Sequence, residues 1–137
     1  MRHDGFVYEL VQAFVIFLAG GFIYGLMEIV YSGSTHPAMF VMGGLSLLWV
    51  GGGRRYLRHS PPLWLHMIIG GVFITTAEFI CGLVYNVWLG LRIWDYTRFR
   101  INIMGQICPA FFFLWIALSL PAVIIESALR SAFSDEI

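Results

Sequence analysis

Two acidic residues lie where a long apolar chain has few others. Residues 20–31 read GGFIYGLMEIVY and residues 70–81 read GGVFITTAEFIC. Each copy holds Gly-Gly, six residues, a glutamate and two apolar residues, so Glu28 and Glu78 occupy matching places. On a helix, steps of four, three and four keep to one face. That face is Gly21, Gly25, Glu28 and Ser32 in the first copy, and Gly71, Thr75, Glu78 and Gly82 in the second. Two carboxylates about 6 Å apart at an effective dielectric near 20 repel by about 3 kcal/mol, or about two pKa units. A shared proton or a bound cation relieves that repulsion. One reading is therefore a proton, cation or small-solute site built from Glu28 and Glu78, with Thr75, Tyr24 and Tyr85 around it. The other makes each glutamate a structural strut, paired with Arg92, Arg98 or Arg100 or accepting from Tyr24, Tyr85 or Trp94. Interhelical bonds of that kind contribute about 0.6–2 kcal/mol. The residues alone leave both open.

The segment that could close over the carboxylates runs from Arg92 to Arg100 and is the one long polar-aromatic connection. Arg92, Arg98 and Arg100 around Trp94 and Tyr96 suit an anionic lipid headgroup or an anionic substrate. The same residues also suit a folded-back loop. Asp95 would then cap the fourth span or pair with Arg98, and the aromatic rings would anchor at the interface. Asn86 and Asn102 supply amide contacts in either case.

Other chemistries find little support. His36, His59 and His66 lack metal-ligand spacing, and Cys81 and Cys108 form neither a C-x-x-C pair nor a zinc set. Packing thiols are the expectation, with no metal and no cofactor. No Ser-His-Asp or Cys-His set shares a face, so no enzyme is expected. Eight arginines balance eight acidic residues, and a net charge of zero gives no pull towards nucleic acid.

The elements that hold these groups are apolar runs of membrane-spanning length. Hydrophobic residues make up 59% of the chain against 12% charged, and the mean hydropathy is +0.80. Soluble domains carry about 25% charged residues. A bilayer core of roughly 30 Å needs about 20 helical residues. The chain therefore reads as one all-α, multi-pass transmembrane domain over residues 1–137, with four transmembrane helices near 10–31, 37–52, 63–88 and 103–125. The first run lacks an A-x-A cleavage site and is too long for a signal-peptide core, so it is expected to stay as the first span. Pro37 suits the first turn of the second span, and Gly51-Gly52-Gly53 ends it. Pro109 suits the first turns of the fourth span and Pro121 should kink its far end. Gly21 and Gly25 fit a close helix approach. The tail starts with Glu126 and Arg130 at helical spacing and is expected at the interface.

Four spans place both termini on one side. Arg2, Arg54, Arg55, Arg58 and Arg130 fall there, and Arg92, Arg98 and Arg100 on the other. Five against three puts the termini in the cytoplasm. With two spans per Gly-Gly-x6-Glu copy, the copies would be two parallel two-helix repeats related by an axis along the membrane normal. One four-helix copy leaves little room for a complete transporter, so a homodimer or a separate partner subunit is expected in the bilayer.

Trp94-Asp95-Tyr96-Thr97, Asn102, Gly105, Ile107-Cys108 and Trp115, preceded by Thr75, Thr76, Glu78 and Phe79 and by Glu28, follow a known pattern. It resembles that of the ABC-transporter type IV family of small membrane proteins, which also includes small vertebrate transmembrane proteins. The likeness covers about Gly20 to Trp115. Thr97 stands where that pattern has Ser, and the Arg-Gly and Gly-Pro rich stretch of longer members is missing between spans one and two. The resemblance implies a helical membrane fold and a part in transport. The chain has no Lys, hence no G-x-x-x-x-G-K-[ST] motif, and any ATPase would be a separate protein.

Overall fold

A computed structural model describes residues 2–56 and 59–135. The described chain is all-α. Helix α1 is Arg2–Ser32, α2 is Pro37–Ser46, α3 is Leu63–Gly82 and α4 is Pro109–Asp135. Both α2 and α3 widen at their ends into a π-helical stretch, Leu47–Gly51 and Leu83–Trp88, and a 3-10 turn follows at Gly53–Tyr56. Among the described residues, three helices are long and apolar enough to cross a membrane: Gly5–Ser32, Leu63–Trp88 and Pro109–Phe133. Pro37–Gly51 is a shorter apolar helix.

The chain divides into two compact units, Met1–Ser60 with Pro121–Ile137, and Pro61–Leu120. The first unit contains α1, α2 and the last part of α4. Pro37 opens α2, as its missing N–H suits a first turn, and Nδ1 of His36 accepts from the Ala38 N–H at 3.1 Å to cap it. Glycines let α1 and α2 approach. A Cβ on Gly20 would lie 2.6 Å from the Gly43 carbonyl oxygen, and one on Gly43 would lie 2.4 Å from the Tyr24 Cβ. Gly21 leaves room for the Phe40 ring rather than for a second helix backbone. Small residues at such contacts gain dispersion where lipid gives no hydrophobic drive. Among the described residues of this unit, Ile16, Met39, Met42, Leu47 and Val50 are buried apolar side chains.

The second unit contains α3, the 89–108 connection and the first part of α4. A Cβ on Gly71 would lie 2.4 Å from Cγ1 of Ile116, so α3 and α4 meet there through a missing side chain. Ser119 is fully buried and donates to the Trp115 carbonyl at 2.8 Å, one turn back, which satisfies its hydroxyl inside an apolar helix.

The fourth helix differs from its expected limits. It starts at Pro109, six residues after Ile103, and runs through Asp135. Ile103 and Ile107 instead form an isolated antiparallel bridge around a tight turn, with Met104 at φ 56° and Gly105 at φ 74°. Left-handed backbone at two successive positions cannot continue a helix, so the helix waits for Pro109. Pro121 lies inside α4, at the boundary between the two units. Arg58, counted among the basic residues of the terminal side, falls outside the described residues.

Candidate functional site

The second unit builds its polar site on one turn of α3. Glu78 is 1% exposed, and its Oε2 accepts a hydrogen bond of 3.0 Å from the Tyr96 hydroxyl. Tyr96 is itself buried. Its ring stacks on Phe111 with centroids 4.6 Å apart and planes 19° from parallel, and Phe99 meets both rings edge-on. Offset and edge-on aromatic contacts each add about 0.5–1.5 kcal/mol beyond burial. The phenol that reaches the carboxylate is thus held by α4 and by its own loop.

Side-chain amides fold the rest of the loop. The Tyr96 N–H donates to the Gly105 carbonyl at 2.8 Å, and the Gly105 N–H donates to Oδ1 of Asn102 at 2.8 Å. Nδ2 of Asn102 donates to the Phe99 carbonyl at 2.9 Å. Trp94 Nε1 donates to the Gln106 carbonyl at 3.0 Å. The Gln106 side chain accepts from Nδ2 of Asn86 at 2.8 Å and donates to the Met104 carbonyl at 2.9 Å. Asn86 Oδ1 takes the Ile93 N–H at 2.6 Å, which sets the chain direction as it leaves Arg92 at φ 52°. Gly82 leaves room for Gln106, since a Cβ there would lie 2.5 Å from its Oε1. These side-chain amides supply the partners that a non-helical backbone lacks within itself.

The expected capping residues separate into two sets. Tyr96 is buried, and Trp94 and Asn102 are half-buried with hydrogen-bond partners inside the unit. Arg92, Arg98 and Arg100 are exposed, with the Arg98 guanidinium 5.1 Å above the Phe99 ring. Asp95 lies fourteen residues before Pro109, where the fourth helix starts. Its Oδ1 accepts the Thr97 N–H at 2.9 Å, a local turn two residues long that wins on proximity. Thr97 backbone and hydroxyl, with the Arg92 charge nearby, hold the exposed Asp95 carboxyl below its ordinary range.

Among the other candidates, Thr75 lies one turn before Glu78. It is half-buried, and its hydroxyl oxygen is enclosed without a hydrogen-bond partner. Tyr85 is half-buried in the π-helical end of α3, where its carbonyl accepts from the Leu91 N–H at 2.9 Å. In the first unit, Glu28 is half-buried on α1, within hydrogen-bonding reach of Tyr24 one turn before it. Cys81 and Cys108 are free thiols, half-buried and buried. Among the described residues, no three His, Cys, Asp or Glu side chains gather where a metal ion could be held.

A second fully buried carboxylate occupies a place the sequence reading gave to the interface. Glu126 is 0% exposed, and Nε of Arg130 donates to its Oε1. Nη1 of Arg130 donates to Oε1 of Gln12 at 2.9 Å, and Gln12 Nε2 returns to the Arg130 carbonyl at 3.4 Å. Gly52 makes the space: a Cβ there would lie 2.7 Å from Oε1 of Glu126. The spacing of Glu126 and Arg130 was visible in the sequence, but their enclosure by α1 and the Gly51–Gly52 turn was not. Gln106 was also missed. Its one advance signal is an amide set beside a glycine in an otherwise apolar stretch.

No curated protein and no solved structure matches the chain. A family model described as Putative ABC-transporter type IV matches residues 3–136, and it therefore reaches into both units and over every candidate site residue. Its reach over Glu78, the Trp94–Cys108 loop and the apolar helices agrees with the resemblance carried by the loop residues, and the chain belongs to that family.

Proposed function

We propose that this chain is a permease-like, transport-related membrane component in which Glu78 takes up a proton, a cation or the cationic group of a small solute. The observation that supports it most directly is a carboxyl 1% exposed within an apolar helix, aimed at a phenol that a dedicated loop brings to it. An acidic group in the middle of a span costs roughly 2.5–3.5 kcal/mol on insertion scales. Protonation or a bound cation removes most of that cost, and gain and loss of either is what a transport step needs. The half-buried Thr75 hydroxyl one turn earlier is a further oxygen ligand for the same occupant. Glu28, with Tyr24 beside it, is the second carboxyl in this proposal. The absence of Lys leaves any nucleotide hydrolysis to a separate subunit.

The test is proton uptake into pyranine-loaded proteoliposomes under an imposed potential. Glu78→Gln should abolish uptake while helix content and melting temperature stay near wild type. Equal uptake by Glu78→Gln and wild type, or none by wild type, rejects the proton site. A second reading, a non-transporting membrane scaffold or assembly partner with the glutamates as struts, draws on the tight closure of the loop around Tyr96. It expects Glu78→Gln to lower the melting temperature and leave uptake unchanged.

A further inference from the structure

The 88–104 stretch turns its polar amides inward and presents an unusual mixture outward. Trp88 is 79% exposed, Ile101 70% and Met104 62%, with Ile103 exposed beside them. Arg92, Arg98 and Arg100 are exposed on the same connection. Between Leu89 and Cys108 the ionisable charges are these three arginines and Asp95, a clear cationic excess. Exposed apolar side chains on a spanning helix face lipid and need no special account. Trp88 ends the span, but Ile101, Ile103 and Met104 sit on the non-helical connection beyond it, where a solvated loop would be polar. Met104 is held outward in a left-handed turn by bonds that Gln106 and Ile103 make behind it.

We propose that the outer face of this connection is a docking surface for the anionic headgroups of the leaflet it meets. Arg92, Arg98 and Arg100 hold the lipid phosphates, and Trp88, Ile101, Ile103 and Met104 enter the acyl boundary. Charge complementarity selects the occupant. Guanidinium groups match phosphate oxygens two at a time, and each basic residue near an anionic surface strengthens binding by about fivefold. The flanking apolar side chains require that the phosphate belong to a lipid rather than to a soluble anion. The surface is distinct from the inward-facing Glu78 and stands whether or not that carboxyl carries a proton.

The experiment uses the full chain in nanodiscs and reads tryptophan quenching by brominated phosphatidylglycerol against brominated phosphatidylcholine. Wild type should favour the anionic lipid at least tenfold, and raising the salt from 0.05 to 0.5 M should reduce that preference severalfold. The combined Arg92→Gln, Arg98→Gln and Arg100→Gln variant should lose it, and the corresponding triple Lys variant should keep most of it. Equal quenching by the two lipids in wild type overturns the proposal, as does a preference that the triple Gln variant retains. Displacement of the anionic lipid by millimolar inorganic phosphate also overturns it, because the site would then be one for a free anion. The salt arm uses wild type alone, so the proposal remains exposed to failure if the triple variants do not fold.

Discussion

Glu126 and Glu78 are both shut away from solvent, yet they are answered in different ways. Glu126 meets Arg130 one turn further along its own helix, and Gln12 of α1 then secures the arginine. Glu78 meets a phenol eighteen residues away, delivered by a loop whose shape depends on Asn86, Asn102 and Gln106. The first contact is between two ionisable side chains, and the second is a hydrogen bond from a hydroxyl. The first arrangement suits a fixed tie between chain ends and the Gly51–Gly52 turn. The second depends on a loop folded from far along the chain.

The contrast can be broken most easily at Arg130. Arg130→Ala takes the guanidinium from a fully buried carboxylate, and a loss of about 3 kcal/mol is expected. A melting temperature within a degree of wild type in the same detergent would show that Glu126 is not held by that pair. Gly82→Ala probes the other unit by pushing a methyl group towards Oε1 of Gln106. Overpacking against a side chain fixed by Asn86 and the Met104 carbonyl should cost about 2 kcal/mol. Amide exchange should also accelerate at Ile93, whose N–H depends on Asn86.

Tyr96→Phe removes the phenol and keeps the ring stack on Phe111. A loss of about 1 kcal/mol is expected, smaller than at Arg130. Equal losses at the two positions would remove the distinction between the two carboxylates. The smallest effect is expected at Asp95. Its carboxyl lies below the ordinary range when folded, so its stabilising share is present above about pH 4. That share is lost as the pH falls through the lowered value. Melting curves of wild type and Asp95→Asn should therefore differ at pH 6 and converge at the acid end. A gap that widens on acidification would contradict the Asp95–Thr97 turn.

The long helices Gly5–Ser32 and Leu63–Trp88 were legible because a run of apolar residues about 20 long carries its own signal, whereas the expected second span is the shorter apolar helix Pro37–Gly51. The π-helical endings of α2 and α3 were not legible, since they depend on what each helix end packs against. The fourth span was placed too early because Ile101, Ile103 and Ile107 look like helix residues until their backbone angles are known. Glu126 and Arg130 were read as a surface pair because i,i+4 spacing is equally at home on an exposed helix. Among the loop residues, the resemblance marked Trp94, Tyr96, Asn102 and Gly105 without saying which way each faces. Gln106 carries four of the loop's bonds and had no periodic pattern to announce it.

By itself the sequence determined the apolar helices, the places where glycine and proline interrupt them, and the scarcity of ionisable groups within them. These follow from local composition and from a helical period that neighbouring residues share. Only the tertiary structure decided that Glu126 is enclosed, that Tyr96 reaches Glu78, and that the connection turns its amides inward and its arginines outward. Those outcomes depend on residues far apart in the chain satisfying one another's hydrogen bonds, and no short-range pattern encodes that requirement.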